Sequence, residues 1–374
     1  MKKLSVLFAA LCVSVAAFAA PIDVLVSEDV SYNDNIYLNK GKDKKESVIS
    51  STHAGLAYKG QLPESGLQLS AGGAVGYNAY TEKPGKNNFW DASANLGLEN
   101  ENLKVKNAFV FTSEPANSEQ TDRVKRIGNN FSASYTTTHE KLFSVGITVG
   151  DIFNRYLASR MHGLNRNRVN AGARIYYNFT PKTNVFVEYM FGDTVYRKNT
   201  VNNSTAHKVG LGMNAQLASK LNGTAAITYD MRDYSHDKGN ATNHPDLIGY
   251  YTSITWKATS RDTFTLSGSR DMEETTFGDN RFFADTLVGL TMRHQFNSKW
   301  GTGLLLGWEE LRYKVKVNNR KGADELLTVR PEINYAFQDW LVGSIWYQYR
   351  TRNSNMDNYD YDNNKAGIMI RAIF

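Results

Sequence analysis

The sequence predicts an all-β fold: a transmembrane, antiparallel, up-and-down β-barrel of about eighteen strands, with sixteen as the alternative. Three observations carry this. Apolar and polar residues alternate with period two along most of the chain. Short and long connections alternate strictly between those segments. The polar phase of the alternation is too charged to form a packed core.

Composition removes the other classes. Of 374 residues 41% are apolar, and mean hydropathy is −0.46, which excludes a bundle of membrane helices. Such a bundle needs repeated apolar runs of about 20 residues. The chain holds 21 Tyr, 18 Phe and 29 Gly but only 7 Pro, a strand-forming profile. Net charge is +6, yet Lys and Arg are interspersed with Asp and Glu rather than gathered on one segment. Nucleic acid is therefore not an expected partner.

Residues 1–19 read as a secretory signal. Lys2 and Lys3 open it, Leu4 to Val15 forms the apolar stretch, and Ala17-Phe18-Ala19 fits small-x-small cleavage. Residues 20–374 then form one barrel. The sole cysteine, Cys12, lies in the leader, so no disulfide, thiolate metal site or cysteine nucleophile is expected. No cofactor or metal is called for.

Strand signals follow in order. Leu67, Leu69, Ala71, Gly73, Val75 and Tyr77 share one face. The pattern returns from Trp90 to Leu98, Phe143 to Val149, Val169 to Phe179, Val209 to Leu217 and Leu327 to Phe337. Short connections fall near Gln61, Asn100, Glu140, Pro181, Ser219, Ser260, Ser298 and Gln338, at intervals of about 40 residues. Two membrane-length strands, a turn and a loop need that length. Long polar connections include Asn33 to Glu46, Thr112 to Arg126, Asp151 to Arg166, Tyr234 to Asp246 and Arg350 to Asn364. Both strand counts are even, which puts both termini on one side. Short turns then face the periplasm and long loops face outside.

An interior of eighteen strands is too wide for side chains to fill. The apolar face must therefore point to lipid and the charged face to a wet lumen. Arg168, Arg174, Glu188, Arg293, Arg330 and Glu332 fall in the lumen phase and are candidate pore-lining residues. Aromatics near strand ends, such as Tyr58, Trp90, Trp256, Trp300 and Trp340, fit interfacial girdles. The last strand alternates Ala366, Ile368, Ile370, Ala372 and Phe374. Its terminal Phe374 resembles the signal read by the outer-membrane assembly machinery. Membrane lipid, lipopolysaccharide and that machinery are the expected partners, and the Gram-negative outer membrane the expected location.

Two segments resemble a known family. Val30-Ser31-Tyr32-Asn33-Asp34-Asn35-Ile36-Tyr37 is similar to the start of the Putative beta-barrel porin 2 family. Tyr347, Tyr349, Arg350, Arg352, Asn353, Ser354 and Asn355, followed by Tyr359 to Asn363, resemble its closing hairpin. The resemblance implies an outer-membrane, channel-like barrel with no catalytic residues. Some members are encoded with exopolysaccharide-export systems, so export components are implied partners.

Two constellations carry other chemistry. His236 with Asp233 and Asp237 offers a rim acid–base pair, although solvation is the commoner role for such a cluster. Asp360-x-Asp362-x-Asn364 copies the opening of a calcium loop, but Lys365 stands where Gly is needed. Neither supports an enzyme. The connection Asp151 to Asn165 is unusually apolar and carries Arg155 and Arg160. Two outcomes fit it: a loop folded inward that narrows the pore with its arginines, or a short helical cap over the rim. The expected function is passage of small polar solutes, or a channel role in polysaccharide export. A non-conducting surface barrel, such as an adhesin or receptor, is the alternative.

Two outcomes follow. The protein should insert in the outer membrane and change gel mobility on heating, whereas a soluble periplasmic product would contradict the barrel. Deleting Phe374 should lower the folded yield several-fold in cells, as scored by the same mobility shift.

Overall fold

A computed structural model describes residues 22–374 except 63–64, 116, 122, 138–140, 237–242, 276–279, 318–319 and 357–358. The side chains of 315–321 are likewise not described. The signal read at residues 1–19 lies outside the described residues.

Eighteen strands follow in chain order. They are β1 Ile22–Asn33, β2 Ser47–Gln61, β3 Gln68–Tyr80, β4 Phe89–Glu99, β5 Leu103–Thr112 and β6 Arg126–Thr136. Next come β7 Phe143–Tyr156, β8 Arg166–Thr180, β9 Thr183–Tyr196, β10 Ser204–Ala218, β11 Leu221–Tyr234 and β12 Asp246–Trp256. The last are β13 Asp262–Glu274, β14 Phe282–Gln295, β15 Trp300–Val317, β16 Arg320–Gln338, β17 Leu341–Ser354 and β18 Tyr361–Ile373. Each pairs with its neighbours in sequence, and β1 pairs with β18, so the sheet closes. At the seam Leu25 opposes Ile373 and Asn33 opposes Lys365. Val24 and Phe374 exchange both backbone hydrogen bonds, at 2.9 and 3.0 Å. Closure leaves no sheet edge for lipid to satisfy.

Period two sets the faces. Leu56, Val75, Ile147, Leu211, Ile227 and Ile345 stand 56–68% exposed on the outer face. Charged residues such as Glu188, Lys208, Asp230 and Arg232 occupy the inner one. Rings gather where the short turns are. Trp256 stacks on Phe264 and Trp340 on Phe374, and Trp300 packs tilted against Tyr335, with centroids 4.6–5.4 Å apart. Such rings suit a level where one side is apolar and the other wet.

Several connections are shorter than the polar runs suggested. Asp151–Tyr156 continues β7, Arg350–Ser354 continues β17, and Tyr361–Asn364 opens β18. Polar sequence above the membrane still pairs as strand, because the neighbouring strand supplies a ladder. The longest case is the hairpin of β15 and β16, with 18 and 19 residues.

The two segments that carried the family resemblance meet at the seam. Asn364 Nδ2 donates to Asp34 at 2.8 Å, and Asn363 Nδ2 donates to Asn33 at 2.6 Å. Asn35 Nδ2 donates to the Asp362 carbonyl at 3.0 Å. Lys40 pairs with Asp360 at 2.6 Å, and Lys44 pairs with Asp362. The carboxylates of the calcium-like run are thus engaged by ammonium groups, and the run locks the ends of the chain together. Burial alone would raise Asp360, but Lys40 and the Ser354 N–H outweigh it and hold its pKa below the usual value.

One hairpin leaves the wall. Pairing between β12 and β13 stops at Tyr250 opposite Arg270, whereas β13 and β14 stay paired up to Glu274 opposite Phe282. The freed tip leans inward over β9 to β11. Lys208 meets Asp271 at 2.6 Å, Arg232 Nη1 meets Glu274 at 2.9 Å, and Tyr196 Oη donates to Glu274 at 2.8 Å. Met272, Phe282 and Ala284 bury themselves against Leu247 of β12. On the other side Phe283 packs on Leu311, Tyr313, Leu326 and Met356.

Arg232 and Glu274 are both almost fully buried. Removing one member of such a pair strands the other's charge, at about 3–5 kcal/mol. Arg232→Met should therefore destabilise the barrel by that order, and by more than the double change Arg232→Met/Glu274→Leu. Urea unfolding in micelles, read by heat-modifiable mobility, tests the ranking. A depressed pKa at Asp360 contributes stability above the unfolded carboxylate value of about 4 and loses it as pH falls below. Hydrogen exchange in segments 34–44 and 359–364 should accordingly stay slow at neutral pH and quicken in stronger acid.

Candidate channel and its constriction

The lumen is crossed by the connection between β5 and β6, residues 113–125. Ser118 Oγ donates to Glu309 on β15 at 2.7 Å. Strand β15 lies nine to ten strands around the ring from β5 and β6, on the opposite wall. Glu119 accepts from Thr275 at the tip of the inward hairpin, and its carbonyl accepts from Arg352 of β17 at 3.2 Å. Tyr156 Oη donates to Gln120 at 3.2 Å. Arg352 is tied to Asp324, and both are buried. A span anchored on both walls and on the β13–β14 tip narrows the lumen from within.

The inward loop is therefore 113–125, not Asp151 to Asn165. The residues after β7 instead form a short 3-10 helix, Ser159–Leu164, over the rim, which is the second outcome that the sequence left open. Arg155 does not line the pore. It opposes Ile127 and shares the outward face with Ile147 and Val149. Period two explains this: Arg155 lies an even number of residues from the lipid-facing Val149 on an unbroken strand. Arg160 lines a cavity of about 420 Å³ at the outer mouth, together with Tyr37, Lys86, Arg123 and Lys125.

The remaining sequence candidates lie on inner faces. Arg168 and Arg174 stand on the inner face of β8. Arg174 is neutralised by Glu188 at 2.7 Å and donates to Tyr251 at 3.0 Å. Arg293 and Glu332 line a cavity of about 370 Å³ near the periplasmic turns, with Arg261 and Lys299. Arg330 lies over the Trp346 ring at 4.7 Å, and Lys365 approaches the same ring at 5.2 Å. Phe374 ends the wall against Trp340.

Sequence reasoning missed Arg123, Glu119 and Thr275, which build the constriction. Arg123 lies over Tyr80 at 4.2 Å and Phe89 at 5.0 Å, with Glu114 at 3.8 Å. Arg123, Arg350 and Lys365 line one cavity of about 160 Å³ beside this loop. Among the described residues, Arg330, Arg350 and Lys365 have no carboxylate within 4 Å. On the other wall Asp230, Asp271 and Glu274 are engaged by Lys208 and Arg232, whereas Glu273, Asp285 and Glu309 have no cation within 4 Å among the described residues. The lumen thus has a net positive side, on β16 to β18, and facing it a side, on β10 to β15, where ion pairs and unpaired carboxylates alternate.

Of the rim cluster read at His236, Asp233 is the described acid. Asp233 is engaged by His244, both exposed, and Asp237 lies outside the described residues.

Comparison with known proteins places this architecture. No curated protein matches the sequence. Among solved structures the chain is similar to Pseudomonas aeruginosa OpdQ, with TM-score 0.52 and 10% identity, covering 94% of this chain and 97% of that one. It is similar to P. aeruginosa OccK5 (OpdH), with TM-score 0.51 and 13% identity over 94% and 98% of the two chains. P. aeruginosa OccK8 (OprE) gives 0.51 and 9% over 94% and 97%. These likenesses establish the fold of an outer-membrane barrel. The sequence itself matches a family model over residues 24–374, and the chain belongs to the family described as Putative beta-barrel porin 2.

Proposed function

We propose that the barrel is a diffusion channel for small polar solutes that favours anions, constricted by residues 113–125. The observation that supports this is the unpaired basic side of the lumen. Arg350, Lys365 and the loop's Arg123 line one cavity, where Glu114 partly offsets Arg123, and Arg330 lies over the Trp346 ring that Lys365 also approaches. Cavities with basic residues flank the constriction on both sides. A fixed positive wall in a narrow, low-dielectric passage raises the local concentration of anions. Salt within a Debye length of about 10 Å at 0.1 M weakens that effect. The loop sets the size limit, because it reaches from wall to wall and rests on the inward β13–β14 tip.

Planar bilayers test both parts. In a KCl gradient the reversal potential should show anion preference, stronger at low salt. The triple change Arg330→Gln/Arg350→Gln/Lys365→Gln should reduce or reverse it. Deleting residues 116–121 should raise single-channel conductance several-fold without changing heat-modifiability. Absence of conductance in both proteins would instead favour the non-conducting surface barrel.

A further inference from the structure

The β13–β14 hairpin leaves the wall at a single glycine. On β12 the odd-numbered residues face the lumen: Leu247 is buried under the hairpin, and Tyr251 accepts from Arg174 at 3.0 Å. Gly249 lies between them. A Cβ on Gly249 would stand 2.4 Å from the Arg270 carbonyl oxygen and 2.8 Å from Thr228 Oγ1, separations that real Cβ atoms do not adopt. No other described glycine meets backbone so closely; the next, Gly55 and Gly172, leave 2.7 Å. Glycine inside a strand suits a place where another backbone crosses. The crossing peptide here belongs to Arg270, the last residue of β13 that opposes β12. Strand β13 therefore steps onto the inner face of β12 over a position with no side chain.

Beyond that step two strand edges part. On β12, residues 246–249 stay paired to β11 but have no ladder partner on the other side among the described residues. On β13 the freed edge is met by side chains. Arg232 Nη2 donates to the Met272 carbonyl at 2.5 Å, and Nη1 donates to Glu274 at 2.9 Å. The Met272 N–H donates to Asp271 at 2.8 Å, and Lys208 holds that carboxylate at 2.6 Å. Met272, Phe282 and Ala284 continue the outward phase of Leu266 and Val288, yet they cover Leu247 from inside. The same phase fits the wall. Continued by one register step at a time, the β12–β13 ladder would set Asp271 opposite Gly249 and Met272 opposite Ile248. Tyr251 and Ser253 carry side chains opposite Ser269 and Ser267 in that ladder. A wall ladder thus tolerates a side chain at 249, and the crossing does not.

We infer that Gly249 is the positioning residue of the constriction. By admitting the Arg270 peptide to the inner face, it seats the hairpin in the lumen rather than in the wall, and so fixes the size limit. This rests on the channel reading and on the support that Thr275 of the hairpin gives Glu119 of the inward loop. A side chain at 249 expels the Arg270 carbonyl, the hairpin takes the free edge of β12, and the loop loses its rest.

Cross-linking locates the hairpin independently of conduction. With Cys12→Ser as background, Met272→Cys is combined with Leu247→Cys, its neighbour in the inner seat, or with Ile248→Cys, its partner in the wall. Disulfide formation is scored in isolated outer membranes by loss of maleimide-reactive thiol. The glycine chain should form the bond with Leu247→Cys only. Gly249→Val should pass the preference to Ile248→Cys while heat-modifiable folding persists, and Gly249→Ala, which adds the same Cβ with the least bulk, should shift it in the same direction. In planar bilayers both variants should raise single-channel conductance, several-fold for Gly249→Val, and liposomes holding them should admit larger neutral oligosaccharides. Unchanged cross-linking in folded Gly249→Ala or Gly249→Val would overturn the inference. A switched cross-link with unchanged conductance would show that the hairpin moves without setting the size limit, and would overturn that role. Absence of conductance in parent and variants alike would remove the channel reading, while the cross-links would still decide the seat.

Discussion

Lipid cannot hydrogen-bond to a peptide group, and the rest of this structure depends on that constraint. Every strand must find two neighbours, so the first and last strands must find each other. The protein meets this at the last residue, where Phe374 shares its backbone bonds with Val24 while its ring leans on Trp340. Above the membrane the same seam continues as side-chain bonds between 33–35 and 362–364. The two most recognisable segments of the sequence are thus one structural element, split by the whole length of the chain.

Closure frees the lumen to be polar, and the protein then narrows it again. Water would hydrate any charge there, so the constriction is assembled from groups that satisfy one another. The β13–β14 tip exchanges its pairing with β12 for ion pairs to β10 and β11 and for apolar contact with Leu247. The 113–125 loop rests on that tip through Glu119 and Thr275. Each inward element needs the other. Buried pairs of this kind contribute little net stability, but they fix geometry because breaking one strands a charge.

Much of the wall was legible in the sequence, because lipid on one side and water on the other write a period of two. Strand count, short turns and inner or outer position follow from that period alone. Arg155 shows how far it reaches: counted from Val149 it faces outward, yet its place in a polar run suggested a loop. Polarity marks where lipid ends, not where the ladder ends. The inward loop was not legible. Residues 113–125 are as polar as other loops, and their anchors on β15 and β17 lie more than 180 residues away in sequence. The detachment of the β13–β14 tip left no local mark either, since its alternation continues while its neighbour changes.

The β15–β16 hairpin has a consequence of its own. A membrane crossing uses about 9–11 residues per strand, and these strands have 18 and 19. The surplus, at about 3.4 Å per residue and strongly tilted, lifts a paired ribbon roughly 20 Å clear of the membrane surface. Its inner positions are tied to the passage below, since Leu311, Tyr313 and Leu326 are buried on Phe283 and Asp324 holds Arg352, whereas outward positions such as Arg312 can vary without disturbing it.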